Sequence, residues 1–310
     1  MASLSEPEGA PALPPRKQRK HIDMHRSDDM TELTLGYSPC PNDTFIFHAL
    51  VHGIEGAEGL RFTERLEDVE TLNRLAARAE LDVTKISYGA APGLLADYVL
   101  LRSGGALGRG CGPLIVAREP FSREALAGKR IAIPGRNTTA NLLLRLYAPD
   151  AAPGIELVYS DIMPAVARGE VDAGLIIHES RFTYPQHGLT RVVDLGEWWE
   201  QTTGLPIPLG GIMARRALGE ETIRAVDDAI RRSVEHAFEH PDASREYVRA
   251  HAQEMDDAVA RQHIDLYVNP FSVDVGDQGE RAIRELFERA ARAGIIPADH
   301  PAPFLHPATV

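Results

Sequence analysis

Two stretches of this chain, each about ninety residues long, run through the same local patterns in the same order, and any fold must accommodate both. A short apolar strand pattern opens each, LTLGY at 33–37 and RIAIP at 130–134. Each then enters a turn of small and polar residues and a helical pattern. In the first stretch SPCPNDT at 38–44 leads into 45–52, and in the second GRNTTA at 135–140 leads into 142–147. Further on, DVETLNRLA from Asp68 is answered by DIMPAVAR from Asp161, and both aspartates suit a helix N-cap. Those helices feed ELDV at 80–83 and EVDA at 170–173, which open strands running to Tyr88 and His178. A third match pairs GPLIVAR at 112–118 with GGIMAR at 210–215.

Strands alternating with helices indicate parallel βαβ units, so the chain reads as two similar α/β lobes. The glycine-rich run SGGALGRGCG at 103–112 and the Pro/Gly run GLPIPLGG at 204–211 read as the two crossings between them. After Arg215 the pattern turns helical, with Ile223, Val226, Ile230 and Val234 on one face. A second helix is expected from near Pro241 and a third from Gly279 to Ala293. Because the second crossing returns the chain, this tail is expected to complete the first lobe. The expected organisation is a discontinuous large lobe at 31–110 and 209–310, a small lobe at 111–208, and ligand in the cleft between them.

Composition removes several classes of function. A net charge of −12 argues against a nucleic-acid partner, since phosphate contacts need clustered Lys and Arg. Only Cys40 and Cys111 are present, without a CxxC, so nothing calls for an oxidising compartment and a reduced cytoplasm fits. Residues 1–30 carry basic charge but no apolar stretch of the kind a secretory signal needs, and read as a disordered extension. No segment approaches the roughly 20 apolar residues of a membrane span, so no membrane partner is expected. Oligomeric state is not legible.

His178 is the leading chemical candidate. It ends an apolar strand pattern and is followed by Glu, Ser and Arg. Strand carboxyl ends are where open α/β sheets bind ligands, and imidazole is the side chain whose charge changes nearest neutral pH. It is a ready general base, or else a histidine that merely ends a strand. The 136–140 turn offers free backbone N–H groups and the hydroxyls of Thr138 and Thr139 at a helix N-terminus, a site for an anion or carboxylate. Its counterpart contains Ser38, Asn42 and Asp43, where Asn42 or Asp43 can simply be an N-cap. Ser87 ends the strand equivalent to that of His178 and is expected across the cleft from it, while Lys85, mid-strand, reads as a surface lysine. Glu179 and Arg181 read as a solvated pair. His48 and His52 have the spacing of two zinc ligands on a helix, but with no HExxH and no third ligand no metal is inferred. The glycines from Gly104 to Gly112 lack the strand-to-helix context of a dinucleotide loop and read as hinge glycines. Trp198 and Trp199 can roof a cleft or simply pack.

Four phrases together resemble one family, that of 1,4-dihydroxy-6-naphthoate synthase in the futalosine route to menaquinone: GYSPCPNDTFIF at 36–47, EDVETLN at 67–73, RSGGALGRG at 102–110 and IIHESRFTYP at 176–185. The resemblance covers nearly everything from residue 31 to about 300. It implies a two-lobed α/β fold of the type II periplasmic-binding-protein-like kind. It also implies a carbon–carbon lyase that splits cyclic dehypoxanthinyl futalosine into 1,4-dihydroxy-6-naphthoate and dihydroxyacetone, without an organic cofactor. On this resemblance His178 is the base, and the substrate, an aromatic carboxylate, is contacted by Lys85, Ile86 and Ser87 and by Thr138, Thr139 and Ala140. Three other readings remain: a solute-binding receptor of the same fold, the sister chorismate dehydratase, and an interaction protein without chemistry.

Overall fold

The computed structural model describes residues 30–252 and 256–305. The expected extension at 1–30 therefore lies outside the described residues except for Met30. The first part of the chain forms β1 (Thr31–Tyr37), α1 (Pro41–Val51), β2 (Leu60–Leu66), α2 (Val69–Ala77), β3 (Val83–Ser87), β4 (Tyr98–Leu100) and β5 (Ala106–Gly108). The middle forms β6 (Leu114–Ala117), β7 (Ile131–Ile133), α3 (Thr139–Tyr147), β8 (Ile155–Glu156), α4 (Tyr159–Ala167), β9 (Ala173–Ile176), α5 (Ser180–Thr183), β10 (Thr190–Asp194) and α6 (Leu195–Thr203). The last part forms β11 (Ile207–Arg215), α7 (Glu220–Glu239), α8 (Arg245–His251), α9 (Asp257–Tyr267), α10 (Pro270–Val273) and α11 (Gly276–Arg292).

The strands sort into two sheets of matching plan. One runs β2-β1-β3-β11-β4, with β5 also on β11, and the other β8-β7-β9-β6-β10. In each, a central strand is parallel to two neighbours, β1 to β2 and β3 and β7 to β8 and β9. In each, the next strand is antiparallel, β11 on β3 and β6 on β9. The repeat in the sequence is thus a repeat in space. The antiparallel strand of each sheet is the one reached by crossing over: β6 follows the first sheet's strands into the second, and β11 returns to the first.

The crossings are shorter than the glycine runs that announce them. Residues 106–108 already pair with β11, and β11 itself begins at Ile207, leaving 109–113 and 204–206 to cross. Nor is Gly112 simply a hinge, because a Cβ there would stand 2.3 Å from the Gly196 backbone, so the missing side chain serves close packing. Asp68 caps α2 as expected, accepting from the N–H groups of Glu70 and Thr71. Asp161 does not cap α4, which starts two residues earlier at Tyr159, and it sits in the first turn, where its charge still suits the helix dipole.

The strands that carry the cleft are buried on both faces. All five residues of β3 and all four of β9 are buried, as expected for sheet interiors covered by helices. The tail is more broken than the sequence pattern predicts, with α8, α9 and α10 between the two long helices. Its α7 packs on α1, where Ser233 Oγ donates to the Ile46 carbonyl and accepts from the Leu50 N–H. Trp199 is fully buried and donates its indole N–H to the Pro206 carbonyl, so the tryptophan pair is packing and roofs no cleft. No helix among the described residues is long and apolar enough to cross a membrane.

Candidate active site

A cleft between the two sheets is lined by nine of the residues singled out from the sequence: Ser38, Asn42, Lys85, Ile86, Ser87, Thr138, Thr139, Ala140 and His178. Asp43, Val69, Cys111, Leu209 and Tyr267 are among the others that line it.

His178 reaches the cleft through a backbone turn. Strand β9 stops at Ile176, and two residues later His178 adopts φ +55°, a left-handed conformation uncommon outside glycine, though histidine takes it more readily than most. Strain of this kind persists only where the surroundings hold it, and α5 begins directly after at Ser180. The ring stacks on that of His263 at 6.0 Å and 9°, with Tyr159 at 5.7 Å. The imidazole is packed among neighbouring groups, and besides the cleft it borders a second cavity lined by Cys40, Asp68 and Tyr159. This desolvation lowers its pKa below 6.5, against the upward pull of Glu179, and keeps the ring neutral at pH 7.

Across the cleft lies a buried polar network. The mid-strand position of Lys85 is not a surface position, because both faces of β3 are covered, and the side chain is 7% exposed. Its ammonium is 2.7 Å from Asp43 Oδ1 and 3.3 Å from the Gly104 carbonyl. Asp43 accepts in addition from Ser38 Oγ at 2.7 Å and from Asn42 Nδ2 at 2.8 Å. With its amide nitrogen so used, Asn42 presents Oδ1 to His263 Nε2 at 2.8 Å, which fixes that ring as the Nε2–H tautomer. Neither Asn42 nor Asp43 is the N-cap. Pro41 occupies the first helical position, the preceding Cys40 is extended, and the helix starts there, so both residues fall in its first turn and turn inward. Ser87 is held from behind by Asn73, whose Oδ1 accepts from the Ser87 N–H and whose Nδ2 donates to Ser87 Oγ.

The third wall is the N-terminus of α3. Its two hydroxyls are not free as the turn alone implies: Thr138 caps the helix through the Asn141 N–H and donates to the Gly135 carbonyl. Thr139 Oγ1 donates to the Leu209 carbonyl and accepts from the Gly89 N–H. What remains for a ligand is backbone, since the N–H groups of Thr139 and Ala140 meet no acceptor among the described residues. That still makes an anion site, from helix-end donors rather than side chains. The Thr139 bonds join the lobes, as does Asn137, which donates its N–H and its amide to the Glu70 carboxylate at 3.1 and 2.8 Å. Gly89 fits against the turn so closely that a Cβ there would meet the Thr138 carbonyl at 2.9 Å. The lobes are closed on the cleft.

Three participants escape the sequence pattern. Asp43 sits in the marked turn but reads there as a cap. His263 and Tyr267 lie four apart on α9, more than two hundred residues from Asn42, and nothing local marks them. The Tyr267 ring packs on that of His263 at 4.6 Å, tilted by 41°, and its hydroxyl, at the cleft wall, takes no partner among the described residues. Cys111 also lines the cleft, its thiol pushed up to about 12 by burial. Arg181 is structural, gripping Asp194 at 2.5 Å and the Gly112 carbonyl at 2.7 Å, and Glu179 is bound by the Tyr159 hydroxyl at 3.0 Å, so they are not a solvated pair. The His48 and His52 rings lie 4.4 Å apart, tilted by 35°, with no third ligand among the described residues.

Comparison with known proteins places the chain among relatives that match most of its length. A family profile described as menaquinone biosynthesis matches residues 33–292. The 1,4-dihydroxy-6-naphtoate synthase of Thermus thermophilus is 59% identical over 267 residues, 86% of this chain and 96% of that protein. The one of Streptomyces coelicolor is 53% identical over 272 residues, 86% of this chain and 95% of its own. Among solved structures, an Archaeoglobus fulgidus protein at 39% identity superimposes with a TM-score of 0.81, covering 88% of this chain and all of that one. The alkanesulfonate-binding protein SsuA of Xanthomonas axonopodis, at 16% identity, covers 86% of this chain and 94% of its own with a TM-score of 0.65, a likeness of fold alone.

Proposed function

This chain belongs to the menaquinone-biosynthesis family, and on that premise we propose that it is a cytoplasmic 1,4-dihydroxy-6-naphthoate synthase, a lyase acting on cyclic dehypoxanthinyl futalosine with His178 as general base. The observation that carries the reading is the convergence of a neutral, strained histidine, a buried Lys85–Asp43 pair and a free helix N-terminus on one closed cleft.

Each wall then has a task. The naphthoate carboxylate binds the N–H groups of Thr139 and Ala140, where the helix dipole favours negative charge. The Lys85 ammonium, with two of its three N–H groups on Asp43 and Gly104, turns the third to a substrate oxygen. Held at both ends, the sugar-derived ring lies against His178. Imidazole takes the proton of a sugar hydroxyl, the carbon–oxygen bond that closes the sugar ring and the carbon–carbon bond that joins the three-carbon unit to the carbocycle both break, the imidazolium returns the proton to the products, and the carbocycle becomes the aromatic diol. Dihydroxyacetone leaves. Aromaticity supplies much of the driving force, so the protein's work is orientation, one base and exclusion of water. Lowering the histidine's pKa keeps the base unprotonated at neutral pH, at some expense in intrinsic basicity.

The test is anaerobic incubation of the purified protein with cyclic dehypoxanthinyl futalosine, following products by chromatography. Appearance of 1,4-dihydroxy-6-naphthoate and dihydroxyacetone in equal amounts is expected. Unchanged substrate, with dehydration of chorismate instead or with binding alone, overturns the reading in favour of the sister enzyme or a receptor.

A further inference from the structure

Beside the base stand two further metal-ligating side chains. Cys40 Sγ, a His178 ring nitrogen and a Glu179 carboxylate oxygen lie within 4.8 Å of one another. Cys40 precedes α1 on the first lobe, whereas His178 and Glu179 follow β9 on the second. A second observation comes from Glu179 itself. Its Oε1 accepts from the Tyr159 hydroxyl, but its Oε2 is buried without any partner. A carboxylate oxygen withdrawn from water and left unpaired is costly, and a cation is the partner that would relieve it.

We propose that Cys40, His178 and Glu179 form an inhibitory site for a borderline-soft divalent metal of the zinc type, which bridges the two lobes and occupies the base. The donor set selects the ion: one thiolate sulfur, one imidazole nitrogen and one carboxylate oxygen suit Zn²⁺ and disfavour Mg²⁺ or Ca²⁺, which take oxygen ligands. Three protein ligands leave the fourth tetrahedral position to water. Tetrahedral bonds of ordinary length put ligand atoms about 3.5 Å apart, so the three groups draw closer together on the ion. On binding, the Cys40 thiol gives its proton to solvent and no electron is transferred. The occupied site has two consequences. The imidazole lone pair used for catalysis is held by the metal, and a bond from each lobe to one ion holds the cleft shut.

The proposal rests on the reading of His178 as base only for its inhibitory consequence, and the experiment separates the two. Metal-free full-length protein is titrated with Zn²⁺ in competition with a chromophoric chelator, alongside Cys40→Ser and Glu179→Gln, each checked for folding by thermal unfolding. One equivalent per chain is expected in the wild type, with affinity at least tenfold weaker in both variants. Co²⁺ is expected to give a near-ultraviolet sulfur-to-cobalt charge-transfer band in the wild type and none in Cys40→Ser. Turnover of the wild type is expected to stop at stoichiometric Zn²⁺ and to return with EDTA. Equal affinity in wild type and Cys40→Ser, or Co²⁺ binding without the sulfur band, would place the ion on other ligands such as the exposed histidines and overturn the site. Tight binding through all three residues with turnover unaffected would keep the site, remove its inhibitory role and count against His178 as base.

Discussion

Replacing Lys85 by Met tests whether the Lys85–Asp43 pair is the buried interaction its geometry describes. At 2.7 Å and an effective dielectric constant of about 20, the attraction between the charges is about 6 kcal/mol, most of it offset by desolvation of both groups. Removing one partner forfeits the attraction and leaves the other's desolvation standing, which costs about 3–5 kcal/mol for buried pairs. Asp43 is 2% exposed but keeps its bonds from Ser38 Oγ, Ser38 N–H and Asn42 Nδ2. The expected loss is therefore at the lower end, about 3 kcal/mol. Urea unfolding of wild type, Lys85→Met, Asp43→Asn and the double variant, without ligand, measures it. The double variant carries neither buried charge and should be less destabilised than the sum of the singles by about 2 kcal/mol. A Lys85→Met loss below about 1 kcal/mol with additive singles, the behaviour of an exposed pair, would refute the reasoning.

Gly89→Ala places a Cβ 2.9 Å from the Thr138 carbonyl and wedges the lobes apart; kcat/KM should fall by about ten- to a hundredfold in steady-state assays while thermal unfolding changes little. Burial lowers the pKa of His263 well below 6.5, so the folded state refuses a proton that the unfolded state accepts. Stability from this residue is whole above the unfolded pKa near 6.5 and is lost as pH falls toward the folded value. Urea unfolding at pH 7 and pH 5 should show His263→Gln losing less stability on acidification than the wild type, by up to about 1.4 kcal/mol per pH unit. Tyr267→Phe keeps the ring packed on His263 and removes the unpartnered hydroxyl; unfolding should be nearly unchanged and kcat/KM lowered by about tenfold.

The two-lobed plan was legible because each sheet is built mostly from local βαβ units whose strand, turn and helix patterns recur in order. The crossing of β6 and β11 could be read because both carry the same Gly-apolar-Ala-Arg pattern. The cleft was legible from strand ends and helix starts, where backbone geometry alone aims residues at one place. What the residues do once there was less so. Lys85 on an isolated strand looks like a surface lysine, and only Asp43 at the start of α1 and the Gly104 carbonyl, packed over the face of β3, make it a buried one. The Thr139 hydroxyl looked free because its partners, Gly89 and Leu209, come from the opposite lobe. Asn42 and Asp43 looked like caps because their real partners, His263 and Lys85, lie 221 and 42 residues away. Local patterns mark where a cleft opens, and contacts between distant segments decide which donors are left for the ligand.

The most direct test of the account is a single-turnover comparison of wild type with His178→Ala, measuring substrate affinity and the rate of naphthoate formation on the same samples. The account predicts affinity within a few-fold and a rate lower by about 10²–10⁴, the contribution of a positioned base. Equal rates from the two proteins would contradict it and move the proton transfer to another group in the cleft.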